Sequence, residues 1–77
     1  MDGLYDDILK LFGDNLRRIR TGKGLSQRDL SAMCTIDNAD ISRMENGEIN
    51  VTLKTVAQLA DALDVPLIKF LKKEGSS

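Results

Sequence analysis

Apolar residues recur along the chain at helical spacing and predict five helical segments joined by short connections. The first segment covers about residues 4–21, where apolar side chains follow one another at intervals of three and four. These are Ile8, Leu9, Phe12, Leu16 and Ile19. Gly13 weakens such a helix by up to about 1 kcal/mol relative to alanine, so we expect a bend or a break there.

Two short segments follow, on either side of the stretch "CTID". Ser26 opens the second segment and Asp37 the third, and each is followed three residues later by an aspartate, as in a capping box. Neither segment is long enough to be stable alone, so they must pack together as a helix-turn-helix, which we place at residues 26–46. The predicted inward residues are Leu30, Met33, Ile41 and Met44, with Ile36 between the helices.

The last two segments complete the predicted fold. Thr52 opens the fourth, and Pro66 starts a short fifth at a position where proline is tolerated. Their predicted inward residues are Leu53, Val56, Ala57, Leu59, Ala60, Leu63, Leu67, Phe70 and Leu71. We therefore expect one all-α domain over residues 1–77, a compact five-helix bundle with its core within about residues 12–71 and a polar tail at 72–77.

The composition limits the classes of protein that the chain can be. Its 77 residues make one small domain, and no apolar run is long enough to span a membrane. Cys34 is the single cysteine, so there is no disulfide framework, which suits the reducing cytoplasm. Cys34 is either a buried apolar residue or a reactive thiol, and we favour the first.

Charge is distributed unevenly along the chain. The net charge is only −1, but residues 14–28 contain five basic and two acidic residues, a surplus of three positive charges. This asymmetry is compatible with one basic face, or with an ordinary solvated helix surface. The chain has no histidine and no cluster with metal-ligand spacing, so we expect no enzyme activity, no cofactor and no metal.

Three stretches carry a resemblance to a known family. They are "LRRIRTGKGLSQRDLS", "ISRMENG" and "TLKTVAQLADALDVPLIKFL". In this order and at these spacings, the chain resembles the Cro/cI-type (Xre-like) helix-turn-helix regulators of bacteria and their phages over about residues 12–71. The resemblance implies a lambda-repressor-like DNA-binding domain whose third helix lies in the major groove of double-stranded DNA.

The resemblance assigns the reading of bases to Asn38, Ala39, Ser42 and Arg43. Arginine can bond to guanine, asparagine to adenine, and alanine can contact the thymine methyl group, so these residue types suit the major groove. The alternative is that they are ordinary residues of a solvent-facing helix surface.

The resemblance also implies residues that contact phosphate and hold the fold. Phosphate contacts are expected from basic and amide side chains and from backbone at helix ends. The residues are Lys23, Gln27, Arg28, Asp37, Asn46, Gly47 and Lys54. The resemblance pairs Arg20 with Glu45 in a structural ion pair. Thr35 departs from the family, which usually has glycine there, so either the turn differs or Thr35 is strained.

The function that we expect is sequence-specific binding of an operator by a transcriptional regulator, a repressor or an autoregulator. One domain buries little surface, so we expect a homodimer on a palindromic operator, with its recognition helices about 34 Å apart. The alternative is a protein-interaction module of the same fold, such as the antitoxin of a toxin–antitoxin pair, since fold alone does not decide function. Asp37 and Asp40, acidic on the recognition helix, favour this alternative modestly.

Overall fold

In the computed structural model, residues 2–73 are described, and they form four α-helices and one turn of 3₁₀ helix. The elements are α1 (Asp2–Gly22), α2 (Gln27–Met33), α3 (Asn38–Glu45), α4 (Leu53–Leu63) and the 3₁₀ turn (Leu67–Phe70). The all-α class is confirmed, but the fifth predicted α-helix is the 3₁₀ turn. Residues 74–77 of the predicted polar tail lie outside the described residues.

Helix α1 is continuous through Gly13, so the expected break is absent. The glycine is buried where α1 crosses the end of α3. A β-carbon there would lie 2.4 Å from the main-chain oxygen of Met44 and 2.7 Å from that of Glu45. Gly13 therefore allows two helix backbones to touch, and the sequence pattern alone did not indicate this use.

Ten apolar side chains from all five elements form the core. They are Phe12, Leu16, Leu30, Ile41, Met44, Val56, Leu59, Ala60, Leu63 and Phe70. The rings of Phe12 and Phe70 pack in a tilted arrangement with centroids 5.5 Å apart, which ties the 3₁₀ turn to α1. Burying a side chain of this size stabilises a fold by about 1.5–3 kcal/mol, so this core is the main stabilising element.

Several residues predicted to face inward are exposed. Met33 ends α2 and Leu53 begins α4, so both extend past the region where the helices pack. Ala57 is exposed as well, because it lies beside the buried face of α4 and not on it. That face consists of Val56, Leu59, Ala60 and Leu63. Leu67 and Leu71 are about half exposed while Phe70 is fully buried. A 3₁₀ turn has about three residues per turn, so its apolar residues cannot all face one side.

The helix starts differ from each other more than the sequence suggests. The Ser26 hydroxyl accepts a hydrogen bond from the Asp29 amide, and the Asp29 carboxylate accepts one from the Ser26 amide, both at 2.9 Å. This is the predicted capping box. Asp37 stands at the N-cap of α3 but makes no capping bond with its side chain. The expected second capping box is therefore wrong, and Asp40 bonds elsewhere.

A buried asparagine on α1 holds the C-terminal part of the described chain. Asn15 is 2% exposed, and its amide group donates to the main-chain oxygens of Phe70 at 2.7 Å and Lys72 at 2.8 Å. Its own oxygen accepts from Arg18 at 2.6 Å. Buried amide groups are stable only when hydrogen-bonded, and this one fixes the segment after α4 against α1.

Candidate nucleic-acid interface

Helix α3 presents one face to solvent and the other to the rest of the bundle. Its inner residues Ile41, Met44 and Glu45 are buried. The four predicted base-reading residues lie at relative positions 0, 1, 4 and 5, which a helix places on one side. They are Asn38, Ala39, Ser42 and Arg43; Ser42 is half-buried and the others are exposed. The structure thus brings the four residues together on an accessible helix face.

Arg43 is paired on its own helix. One of its terminal nitrogens donates to the Asp40 carboxylate at 2.9 Å, and about half of each side chain is exposed. Exposed ion pairs of this kind contribute about 1 kcal/mol or less to stability, so Arg43 can readily exchange this hydrogen bond for another. Asp40 therefore holds Arg43 against α3 without locking it there.

The C-terminal end of α3 is held in place by its last residue, Glu45, whose side chain is fully buried. Arg20 of α1 binds it with two parallel hydrogen bonds, from Nε to Oε2 at 2.6 Å and from Nη2 to Oε1 at 3.0 Å. The third donor of Arg20 reaches the main-chain oxygen of Leu25 at 2.7 Å. The two residues paired by the resemblance therefore form a bidentate ion pair, a geometry that fixes orientation as well as charge.

Two more side chains bind the same carboxylate. Gln27, at the start of α2, donates to Glu45 Oε1 at 3.0 Å. Arg17 donates to the same oxygen at 3.3 Å and to Asn46 Oδ1 at 2.8 Å. Glu45 thus joins α1, α2 and α3. Sequence reasoning did not single out Arg17, although its position three residues before Arg20 places both on one face of α1.

The pKa values of this pair reflect its surroundings. Burial raises the pKa of the Glu45 carboxyl, but hydrogen bonds from Arg20 and Gln27 outweigh it and hold the pKa below its ordinary value. The hydrogen bond to Glu45 raises the pKa of Arg20 further. Both groups are therefore charged at neutral pH, and the network is a fixed electrostatic support behind the exposed face of α3.

The predicted phosphate contacts fall at different places. Asn46 is exposed and caps the end of α3, and Gly47 follows with φ of 70°. The amide groups of Gly47 and Glu48 donate back to the oxygens of Met44 and Arg43, a common glycine-dependent helix end. Gly47 therefore has a structural role whether or not it meets phosphate.

The remaining phosphate candidates are on helix starts and in a loop. Lys23 and Arg28 are exposed, on the connection after α1 and on α2. Lys54 borders a depression of about 460 Å³ together with Asp37 and Asp40. The structure therefore places one basic residue beside the two acidic ones at the start of α3, and these acids offset part of the positive potential there.

The turn between α2 and α3 follows an ordinary backbone path. Asp64 is the single non-glycine residue with positive φ within residues 2–73, so Thr35 carries no such strain and the turn differs from the glycine form. The Ser31 hydroxyl donates to the main-chain oxygen of Ile36 at 2.8 Å and ties the turn to α2. Cys34 is half-buried, and its thiol donates to the oxygen of Leu30 at 3.3 Å.

Within residues 2–73, no helix has both the length and the apolar character needed to cross a membrane.

The chain is similar to known proteins in sequence and in fold. The control protein C.SmaI of Serratia marcescens is 34% identical over 74 residues, which cover 96% of this chain and 88% of that protein. The restriction-modification controller protein C.AhdI from Aeromonas hydrophila is 39% identical in sequence. Its crystal structure matches with a TM-score of 0.78 over 80% of this chain and 94% of that chain.

A third relative was solved with DNA. The restriction-modification controller protein C.Esp1396I, a tetramer in complex with its natural 35-base-pair operator, is 29% identical. It matches with a TM-score of 0.73 over 84% of this chain and 96% of that chain. A family model described as helix-turn-helix matches residues 16–70, which is more than half of the chain. The chain therefore belongs to the helix-turn-helix family of Cro/cI-type (Xre-like) regulators.

Proposed function

We propose that this chain is a sequence-specific regulator of transcription, a repressor or autoregulator that reads the major groove of an operator with α3. The observation that carries the proposal is the division of α3 into two sides. Asn38, Ala39 and Arg43 face solvent together, while Glu45 on the inner side binds both α1 and α2. A rigidly held helix with an exposed polar face is what base reading requires.

The proposed base contacts follow from the chemistry of the exposed side chains. Arg43 exchanges its bond to Asp40 for a bidentate contact with guanine, and Asn38 offers the donor and acceptor that match adenine. Ala39 suits the methyl group of thymine. Ser42 is half-buried and its side chain is short, so its hydroxyl contacts a base only where the base edge lies close to α3.

The proposed phosphate contacts fix the helix in the groove without reading sequence. Lys23, Arg28 and Lys54 supply positive charge, and Asn46 supplies an amide at the end of α3. Gln27 is committed to Glu45, so its main task is to brace α3, with its backbone at the start of α2 available to phosphate. Asp37 stands at the N-cap of α3, so the contact proposed there is made by backbone amides of the helix start, because the carboxylate repels phosphate.

The relatives support a complex of more than one copy on DNA. C.Esp1396I was solved as a tetramer on its operator. A single domain with four outward side chains buries too little surface for tight operator binding, so we propose a homodimer on a palindromic site. Binding rather than catalysis is the proposed activity, and the cytoplasm, where the operator lies, is the proposed location.

Selection of bound sequences from a random DNA pool tests the proposal. Wild type is compared with Arg43→Ala and with Lys69→Ala, which removes the same charge from the 3₁₀ turn. We expect a palindromic motif for wild type and for Lys69→Ala, and relaxed preference at one position of each half-site for Arg43→Ala. Affinity should fall steeply with salt concentration.

The opposite result would point to the protein-interaction alternative. Wild type that selects no motif at low salt, while remaining folded, would contradict operator binding. An identical motif from wild type and Arg43→Ala would instead remove Arg43 from the reading face and leave the general function standing.

A further inference from the structure

Arg17 of α1 lies beside the end of α3, where its guanidinium group binds two side chains at once. Its Nε donates to Glu45 Oε1 at 3.3 Å, and its Nη2 donates to Asn46 Oδ1 at 2.8 Å. The shorter bond is therefore the one to the amide. Glu45 already has a bidentate partner in Arg20, so the contact that distinguishes Arg17 is the one to Asn46.

This contact determines which way the Asn46 amide group points. Arginine has donors and no acceptor, so the atom that meets it must be the amide oxygen and not the nitrogen. The two hydrogens of the Asn46 nitrogen then lie on the other side of the group, and no acceptor within residues 2–73 receives them. Asn46 is exposed, so these donors face solvent.

The backbone at Asn46 is held in place as well. Its main-chain amide donates to the oxygen of Ser42 at 3.1 Å. The next residue, Gly47, packs on α1, where a β-carbon added to the glycine would lie 3.4 Å from Lys10 Cα. With its main chain and its side-chain oxygen both held, Asn46 presents its nitrogen in one direction. Donors oriented before binding lose less conformational freedom when a ligand arrives.

Arg17 also changes the electrostatics at this end of α3. The C-terminal end of a helix carries a partial negative charge, which disfavours an anion there. The guanidinium group places a positive charge against the Asn46 oxygen. A hydrogen bond from a cation polarises the amide, so its N–H groups become stronger donors. Both effects favour a phosphate group at a position where an uncharged amide alone would bind it poorly.

We propose that Arg17 is a positioning residue for the DNA backbone: it holds the Asn46 amide with its nitrogen outward, and that nitrogen donates to a phosphate oxygen. This inference rests on the proposed function and names the residue on which one of its phosphate contacts depends. Arg17 is half exposed, so a direct bond from its own guanidinium group to phosphate is the competing explanation. Positioning requires the Asn46 side chain, and direct contact does not.

A double-mutant cycle distinguishes the two explanations. Wild type, Arg17→Met, Asn46→Ala and the double variant are titrated against the DNA motif that wild type selects and against an unrelated duplex, at equal salt concentration. Methionine has a helix propensity close to that of arginine but lacks its donors and its charge. Lys69→Met, which removes the same charge from the 3₁₀ turn, is the control. Urea denaturation verifies that each variant is folded.

We expect Arg17→Met and Asn46→Ala each to weaken binding of both duplexes about tenfold, because a phosphate contact carries no sequence information. In the Asn46→Ala background, the change at Arg17 should have less than about a twofold effect, and Lys69→Met should stay within the same limit of wild type. An equal effect of Arg17→Met in both backgrounds would overturn the proposal, since Arg17 would then act on phosphate directly or through Glu45.

Two other results would also overturn the proposal. A loss confined to the selected motif would place Arg17 behind base reading, and a tenfold loss for Lys69→Met would show a general effect of charge. Failure of the proposed function looks different. Wild type that binds the unrelated duplex but selects no motif would contradict operator reading, and the cycle on that duplex would still decide the role of Arg17. Wild type that binds neither duplex would overturn both proposals.

Discussion

The β-position of Gly13 points at the main-chain oxygen of Met44, at a distance of 2.4 Å for a carbon placed there. No side chain separates α1 from the end of α3 at this crossing. The close approach puts Glu45, one residue further along α3, within reach of both Arg17 and Arg20. The ion-pair network behind the proposed reading helix therefore depends on the absence of a methyl group at Gly13.

Gly13→Ala should destabilise the protein although alanine is the better helix former. The added carbon meets main-chain atoms, which cannot rotate away, so α1 and α3 must separate. We expect the free energy of unfolding in urea to fall by about 1–3 kcal/mol, as for other overpacked sites. Operator affinity should fall as well, because α3 shifts relative to α1.

Gly3→Ala is the matched control for that change. Gly3 is on the same helix, and a β-carbon there would have no heavy atom within 4 Å. Its free energy of unfolding should stay within about 0.5 kcal/mol of wild type. If both alanine variants behaved alike, the close contact at Gly13 would have no energetic consequence.

Asn15→Ala should loosen the segment that follows α4. The change removes the donors to the oxygens of Phe70 and Lys72 and leaves a small void. Leaving buried polar groups unsatisfied costs about 1–3 kcal/mol, and we expect urea denaturation to show a loss in that range. Asn50→Ala, at an exposed site that accepts a bond from Tyr5, is the control and should change stability little. If both variants lost the same free energy of unfolding, the hydrogen bonds from Asn15 to Phe70 and Lys72 would contribute no more than an exposed side chain does.

The depressed pKa of Glu45 makes part of the stability depend on pH. Because the folded-state pKa lies below the unfolded value, the contribution is fully present above the ordinary glutamate pKa of about 4.3 and is lost as the pH falls through the folded value. Glu45→Gln should be less stable at neutral pH and should lose less stability on acidification. Urea denaturation of both proteins between neutral and acidic pH measures the difference.

Other carboxylates also titrate in that range, so the comparison between variants is the informative quantity. Asp61→Asn, which removes one carboxylate from an exposed position on α4, is the matched control for the loss of a negative charge. A Glu45→Gln curve parallel to that of wild type would mean that Glu45 has the same pKa in the folded and unfolded states.

The sequence predicted where the four α-helices lie, because several of their ends carry a local signal. Ser26, Thr52 and Gly47 act within a few residues of where they stand, and the structure uses all three at helix ends. The pairing of Arg20 with Glu45 needed the family resemblance, because 25 residues separate the two and no local pattern joins them.

Features set by packing between distant segments were missed. The roles of Gly13, Asn15 and Arg17 all depend on which element lies opposite, and helical periodicity reports only which side of a helix is apolar. For the same reason Leu53 and Leu67 were expected in the core. Both are apolar, as core residues are, but they lie on a face that no other described element covers.

Asp40→Asn should raise the affinity for DNA of unrelated sequence more than the affinity for the operator. The change removes a negative charge from the start of α3 and releases Arg43 from its 2.9 Å bond, so phosphate repulsion falls. The ratio of the affinity for the operator to the affinity for unrelated DNA should therefore fall. Titration of labelled operator and of a scrambled duplex at equal salt measures both affinities. Asp61→Asn is again the control, and an unchanged ratio for Asp40→Asn would mean that this carboxylate does not govern selectivity.

Ser26 and Asp37 occupy equivalent positions before α2 and α3, yet only Ser26 caps its helix with its side chain. Ser26→Ala should therefore lower the free energy of unfolding by about 1 kcal/mol, since the Asp29 amide loses its partner. Asp37→Ala should lower it by less than half as much. In urea denaturation, equal losses for the two variants would show that the Asp37 carboxylate stabilises α3 through its charge at the helix start rather than through a hydrogen bond.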